Sequence, residues 1–215
     1  MNWDWIIRNL DEIGQRALEH VLLTVVAIAI GFAISFALAL LIRRWHWLQG
    51  AIIGVSGVLY AIPSLALFAF LIPFTGIQNP ITAEIALVSY TILILLRNIL
   101  AGLEAVPRDV IEAADGMGYT PSQRLWRVEL PIALPVIVAG IRIATVTIIG
   151  LVTVTALIGL GGLGYLIVDV GYRRFFLTAT IVGSVGAVLL AVLADRGFVL
   201  LQQALTPWAR RRTEG

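Results

Sequence analysis

Glu112-Ala113-Ala114-Asp115-Gly116-Met117-Gly118, followed after a short polar segment by Val128-Glu129-Leu130-Pro131, is a charged island between two apolar runs of membrane-crossing length. Residues Pro107 to Met117 are helix-compatible, and Gly118 stands just past the expected helix end, where a left-handed conformation suits glycine. Thr120-Pro121-Ser122-Gln123 then supplies a hydroxyl N-cap, proline at the first helical position and glutamine at the third, the start signal of a second short helix running through Leu130. Leu130-Pro131 is expected to end that helix and redirect the chain, because the residue before proline is biased away from helical geometry. The small side chains Ala113, Ala114 and Gly116 leave room for another surface to approach closely.

Outside the island the chain is built for lipid. Of its 215 residues, 60% are hydrophobic and 13% charged, a balance that excludes a water-soluble domain with a polar cover. Five apolar runs, at about 21–42, 51–73, 81–103, 132–159 and 177–201, approach or exceed the ~20 residues needed to cross a ~30 Å hydrocarbon core. The expectation is an all-α polytopic protein of about five spans, with a membrane domain over 21–205 and the island as a loop over 104–131. Ahead of it, Trp3, Ile6, Ile7, Leu10, Ile13, Ala17 and Leu18 recur at helical spacing with charges between them, which predicts an interfacial amphipathic helix over 1–20.

Every one of the 15 basic residues is arginine. A Walker A phosphate loop needs its Gly-Lys-Ser/Thr, so this chain is not its own ATPase and is not expected to be an enzyme. There is no cysteine, hence no disulfide and no thiolate metal site. The arginines are scattered at the ends of apolar runs rather than massed on one face, which argues against nucleic acid and for topology signals. Arg43-Arg44, Arg108, Arg124, Arg127 and the tail Arg210-Arg211-Arg212 (206–215) fall on one side, expected to be cytoplasmic, which places the N-terminus outside and the C-terminus inside. Arg173-Arg174 fall on the other side, near Asp169. The acidic N-terminus lacks a cleavable signal pattern, so residues 1–20 are expected on the mature protein. Trp45-His46-Trp47 reads as an aromatic belt at the interface before it reads as a ligand site.

Several residues inside the runs are candidates for more than packing. Pro63 frees a backbone carbonyl and can kink its span; with Ser64 it either exposes polar groups to a pathway or is a purely structural kink. Tyr90 offers cation–π contact to a quaternary ammonium, or is simple aromatic packing. Glu84 and Arg97 lie near opposite ends of the third run, within reach of the interfaces. Arg142 is more pointed, lying ~16 Å along a helix from Pro131, with Glu104 and Glu129 as candidate partners. Asp195-Arg196 are expected to mark the inner end of the last span.

The pattern Glu-Ala-Ala, three residues, Gly, nine residues, an apolar residue, any residue, Leu-Pro resembles the cytoplasmic EAA loop of bacterial ABC-importer permeases, with Val128 where the family often has Ile. The resemblance implies a type I ABC-importer permease fold and a place in the bacterial inner membrane. It also implies that Glu112, Ala113, Ala114, Gly118, Leu130 and Pro131 form the helix that sits in a cleft of the ATP-binding subunit. Ala61-Ile62-Pro63-Ser64-Leu65-Ala66-Leu67, Leu96-Arg97-Asn98 and Ala156-Leu157-Ile158-Gly159-Leu160-Gly161-Gly162-Leu163-Gly164 are similar to the glycine betaine, choline and carnitine osmoprotectant permeases over roughly residues 20 to 205. Methionine-importer permeases share the five-span plan and a similar glycine-rich segment.

What the resemblance implies is a transport subunit with no cofactor of its own, ATP and Mg on a partner, a second permease chain (identical or paralogous) and an external substrate-binding protein. Gly159-Leu160-Gly161-Gly162-Leu163-Gly164 also satisfies the dinucleotide fingerprint G-x-G-x-x-G, but a membrane-length run leads into it instead of a strand. An external bend or a close-packed gate containing Gly161 and Gly162 is the better reading. The rival from another class is an ion-coupled secondary transporter, which should show an internal repeat and central carboxylates; neither is evident.

Overall fold

A computed structural model of the chain describes residues 1–205; the expected basic tail at 206–215 lies outside the described residues. The described residues are helical, without strands. Four helical runs are long and apolar enough to cross a membrane, or five if a bent pair counts as one span. The elements are α1 (Trp3–Arg8), α2 (Leu10–Arg44), α3 (Gln49–Ala61), α4 (Ser64–Thr75), α5 (Pro80–Glu104), α6 (Arg108–Gly116), α7 (Pro121–Arg124), α8 (Leu130–Val154), α9 (Leu163–Tyr165) and α10 (Leu177–Leu205).

Helix α5 is the hub. It packs on α2, α8, α3 and α4, and it buries Leu87, Leu95, Leu96 and Ile99 almost completely. Lipid offers no hydrophobic drive between helices, so close packing has to hold them. The stripe that α2 turns inward answers that need with residues that are mostly small: His20, Thr24, Ala27, Gly31, Ser35, Ala39 and Ile42, spaced three or four apart on one face. Helix α8 closes the other side of α5, and α10 packs on α8.

Three expectations are corrected here. Residues 1–20 are not a separate interfacial helix: only α1 stands apart, and residues 10–20 are the first turns of the continuous α2. Within this stretch Arg16 pairs with Glu12 at 3.8 Å and with Glu19 at 3.0 Å. Helix α1 is tied down by the Asn2 backbone N–H on Thr178 Oγ1 at 3.0 Å and by the Trp5 ring packed edge-on to Phe176.

The run at 51–73 is not a continuous kinked helix but two helices, α3 and α4, bent by 96° at the break between them. Ile62 and Pro63 are both extended, with ψ near 127° and 132°. Finally, Leu130-Pro131 does not end a helix. The chain runs helically from Pro121 to Ile158, passing through a π-helical turn at Leu125–Glu129 where the Leu130 N–H reaches back five residues to the Leu125 carbonyl. This widened turn accommodates a proline that has no N–H and whose ring would collide with the carbonyl four residues before it.

The loops sort to two ends. The bend at 76–79, the glycine-rich segment 159–164 and the first turns of α2 share one end, where the Gln78 side chain lies beside Gly159. The end of α2, the end of α5, the island and the start of α8 share the other, around a cavity of about 340 Å³ lined by Arg43, His46, Glu104, Arg124 and Glu129.

Candidate functional site

The island folds as its local signals direct. Helix α6 stops at Gly116, and Gly118 takes φ 81°. The Gly118 N–H bonds the Asp115 carbonyl at 3.0 Å and the Tyr119 N–H bonds the Ala114 carbonyl at 3.2 Å, the paired reverse bonds of a glycine-terminated helix. Helix α7 then starts with both halves of its capping box in place, Thr120 Oγ1 accepting from the Gln123 N–H and Gln123 Oε1 from the Thr120 N–H. Asp109, Glu112, Ala113 and Gly116 lie along one exposed face of α6. Ala114 does not join them: it is 1% exposed and faces the rest of the chain. Leu130 and Pro131 are half-buried in the continuous helix behind the island.

Charge ties this pair of short helices to the bundle. Glu129, 2% exposed, accepts from Arg43 Nη2 at 2.6 Å, from Arg43 Nη1, and from Arg124 Nε at 2.8 Å. Arg124 Nη1 in turn donates to both oxygens of Asp115, at 2.6 and 2.5 Å. One chain of ion pairs therefore runs from the C-terminal end of α6 through α7 to the junction with α8 and across to the last turn of α2. A buried carboxylate held by two guanidiniums is fully partnered, the condition under which a buried charge is tolerated. Arg43, Arg124 and Glu129 were not assigned to each other from sequence, since residues 86 positions apart carry no shared periodicity.

At the opposite end the glycine-rich segment is pinned by α2. Glu19 Oε2 accepts the Gly162 N–H at 3.1 Å, and His20 Nδ1 accepts the Leu163 N–H at 3.2 Å. His20 therefore carries its proton on Nε2, which donates to the Ile149 carbonyl at 2.9 Å. Arg16 bonds Glu19 at 3.0 Å and lies 3.9 Å over the Tyr165 ring. Gly162 has φ 75°, and a Cβ on Gly161 would meet Glu19 Oε2 at 1.8 Å. These two candidates thus belong to a tight seam rather than to an open bend. The sequence signal is uneven: His20 shares the inward stripe of α2, whereas Glu19 reads only as one of the acidic residues near the N-terminus.

The remaining candidates are dispersed. Tyr90 is buried, and its hydroxyl donates to the Ile62 carbonyl at 2.5 Å, the group that the Pro63 break leaves without a helical partner. Its ring meets Tyr60 edge-on at 6.0 Å. Tyr90 thus props the α3–α4 corner and does not present a free face to a cation. Pro63 is exposed and Ser64 half-exposed at that corner. Arg142 pairs with Asp195, through Nε to Oδ1, and not with Glu104 or Glu129. Asp195 stands ten residues before Leu205, the last described residue of α10. Among the described residues no cluster of side chains is suited to hold a metal.

The family model described as "Binding-protein-dependent transport system inner membrane component" matches residues 29–211. The choline transport system permease protein OpuBB of Bacillus subtilis is 34% identical, over 95% of this chain and 93% of that protein. The osmoprotectant import permease protein OsmW of Salmonella typhimurium is 36% identical over 94% and 96%. Among solved structures, an inward-facing form of the MetNI methionine ABC transporter superposes with a TM-score of 0.81 at 24% identity, over 93% of this chain and 98% of that one. At that identity the likeness concerns the fold.

Proposed function

Because the chain belongs to the family of binding-protein-dependent transport system inner membrane components, we propose that it is the membrane half of an ATP-driven importer for small quaternary-ammonium osmoprotectants such as choline, glycine betaine or carnitine. It is a transport permease, a multi-pass protein of the bacterial inner membrane with the fold of type I importer permeases. The solute class follows the names of its relatives, which are permeases of choline, carnitine and osmoprotectant systems. A quaternary amine keeps its charge at any pH and has no neutral form with which to cross hydrocarbon, so it requires a protein path. An external binding protein supplies affinity, a second permease chain completes the path, and ATP with Mg is turned over on separate cytoplasmic subunits.

In this reading the island end is cytoplasmic. Arg43, Arg44, Arg108, Arg124 and Arg127 gather there, against Arg8, Arg16, Arg173 and Arg174 at the other end, and that excess accords with the positive-inside tendency. The exposed face of α6 at Glu112, Ala113 and Gly116 docks the ATPase subunit, with Gly118 shaping the turn behind it and Leu130-Pro131 passing the motion into α8.

The observation that carries the reading is the ion-pair chain Asp115–Arg124–Glu129–Arg43, which supports a path for force from α6 to α2 and α8 together. The test is uptake of labelled glycine betaine by proteoliposomes holding permease, ATPase and binding protein. Glu112→Ala should lower uptake at least tenfold while the chain stays folded. Uptake that ignores ATP and follows a proton or sodium gradient would instead establish the ion-coupled alternative. Preference of the binding protein for methionine would move the solute and leave the importer.

A further inference from the structure

Arg142 is the middle residue of α8, and its partner Asp195 lies well inside α10. The pair is not sealed in the bundle: the two side chains are 39% and 30% exposed, at the rim of a cavity of about 370 Å³ lined also by Ala139, Ile143, Val146 and Thr147. Arg142 stands ~18 Å along α8 from either end of that helix, and Asp195 ~27 Å along α10 from Leu177, so both lie within runs long and apolar enough to span. Charged groups within such runs face a bundle interior or a water-filled cavity. In a single chain this face looks outward, so a second chain has to close the space in front of it.

The chemistry of the pair favours a passage over a clasp. Among the described residues Arg142 is bonded to Asp195 through Nε alone, which leaves its two Nη groups without a protein acceptor. A planar fork with free donors suits a carboxylate, and an aspartate suits a cation. A purely structural contact within such runs would be served as well by apolar side chains.

We propose that Arg142 and Asp195 form a station of the translocation path, where a small zwitterion passing between this chain and the second permease chain displaces the pair, Arg142 taking its carboxylate and Asp195 its quaternary ammonium. This rests on the importer reading above. When the solute leaves, the two side chains recover each other, so neither state strands a charge and the station stays weak enough to release its guest.

The experiment has one arm that needs no solute. The chain contains no cysteine, so Val146→Cys on this face and Ile30→Cys on α2 can be compared in the assembled complex with a membrane-impermeant thiol reagent. Val146→Cys should react at least tenfold faster; equal, slow reaction of both places the face in lipid and overturns the proposal. The second arm measures uptake of glycine betaine, which has a carboxylate, and choline, which has none. Arg142→Gln should depress betaine uptake at least tenfold more than choline uptake, and Asp195→Asn should depress both, with the extracted complex still carrying its ATPase subunit. Equal loss of both solutes in Arg142→Gln, or full recovery in the Arg142→Asp/Asp195→Arg exchange, reduces the pair to a structural clasp and overturns the station. If the binding protein holds neither probe, the solute reading fails, while thiol reactivity still decides whether the face is wet.

Discussion

At the island end, helices are joined charge to charge: Arg43 and Arg124 converge on Glu129, and Arg124 reaches on to Asp115. At the glycine end they are joined side chain to backbone, with Glu19 on the Gly162 N–H and His20 bridging the Leu163 N–H and the Ile149 carbonyl. Long ionised side chains can keep a bond while the helices that carry them shift. Backbone groups held where no Cβ fits admit one arrangement. The difference assigns motion to the first end and fixity to the second, and four substitutions and a control bear on it.

Glu129→Ala has the largest expected effect. It leaves two guanidiniums facing each other without their carboxylate, and breaking a buried pair this way costs about 3–5 kcal/mol. Arg43 and Arg124 retain some access to water, at 29% and 20%, so the lower end of that range is expected. For a chain of this size that is a fall of roughly 6–12 °C in melting temperature, readable in detergent; a shift under a degree or two would remove the island end from the comparison.

Gly164→Ala comes next. Its Cβ would lie 2.2 Å from the Thr153 carbonyl oxygen, a backbone atom that cannot swing aside, and overpacking of this kind costs about 1–3 kcal/mol. Gly14→Ala, where nothing lies within 4 Å of the new methyl, is the control and should be neutral or slightly stabilising by helix propensity. Equal melting temperatures for the two variants would show the glycine seam to be loose.

His20→Leu removes the acceptor for the Leu163 N–H, and a buried polar group left unsatisfied costs about 1–3 kcal/mol. The loss should appear as faster amide exchange confined to residues 159–164, sparing the island. Thr120→Ala is the smallest change, about 0.5–2 kcal/mol for a lost N-cap, and should fray α7 with little change in global melting. Exchange spreading from Thr120 into α2 or α8 would show the island more tightly coupled to the bundle than the single ion-pair chain implies.

Where a feature depended on neighbours in sequence, it was legible. Gly118 took the left-handed turn and Thr120 with Gln123 formed the capping box, because each is a contest between a few adjacent backbone groups. The apolar runs near 81–103 and 177–201 became α5 and α10 within a few residues at most boundaries, since a helix is the structure that satisfies its backbone in lipid within a single segment. Proline was read less well, and in both directions. Pro63 broke its run more sharply than a kink, with Tyr90 donating to the freed Ile62 carbonyl, whereas Pro131 broke nothing because a π turn absorbed it. Local bias is the same at both sites; what surrounds each proline decided the outcome.

The sequence by itself determined a helical membrane chain with several spans, a capped pair of short helices between two of them, and arginines only as basic groups. These follow from composition, periodicity and capping, which are properties of contiguous residues. Only the tertiary structure decided that Asp195 is the partner of Arg142, that Glu129 gathers Arg43 and Arg124, that α2 runs unbroken from Leu10, and that Glu19 and His20 hold the glycine segment. The reason is physical: an ion pair or a backbone bond between helices depends on how those helices cross. The crossing is set by where small residues let them approach, a property of two surfaces together and of neither stretch alone.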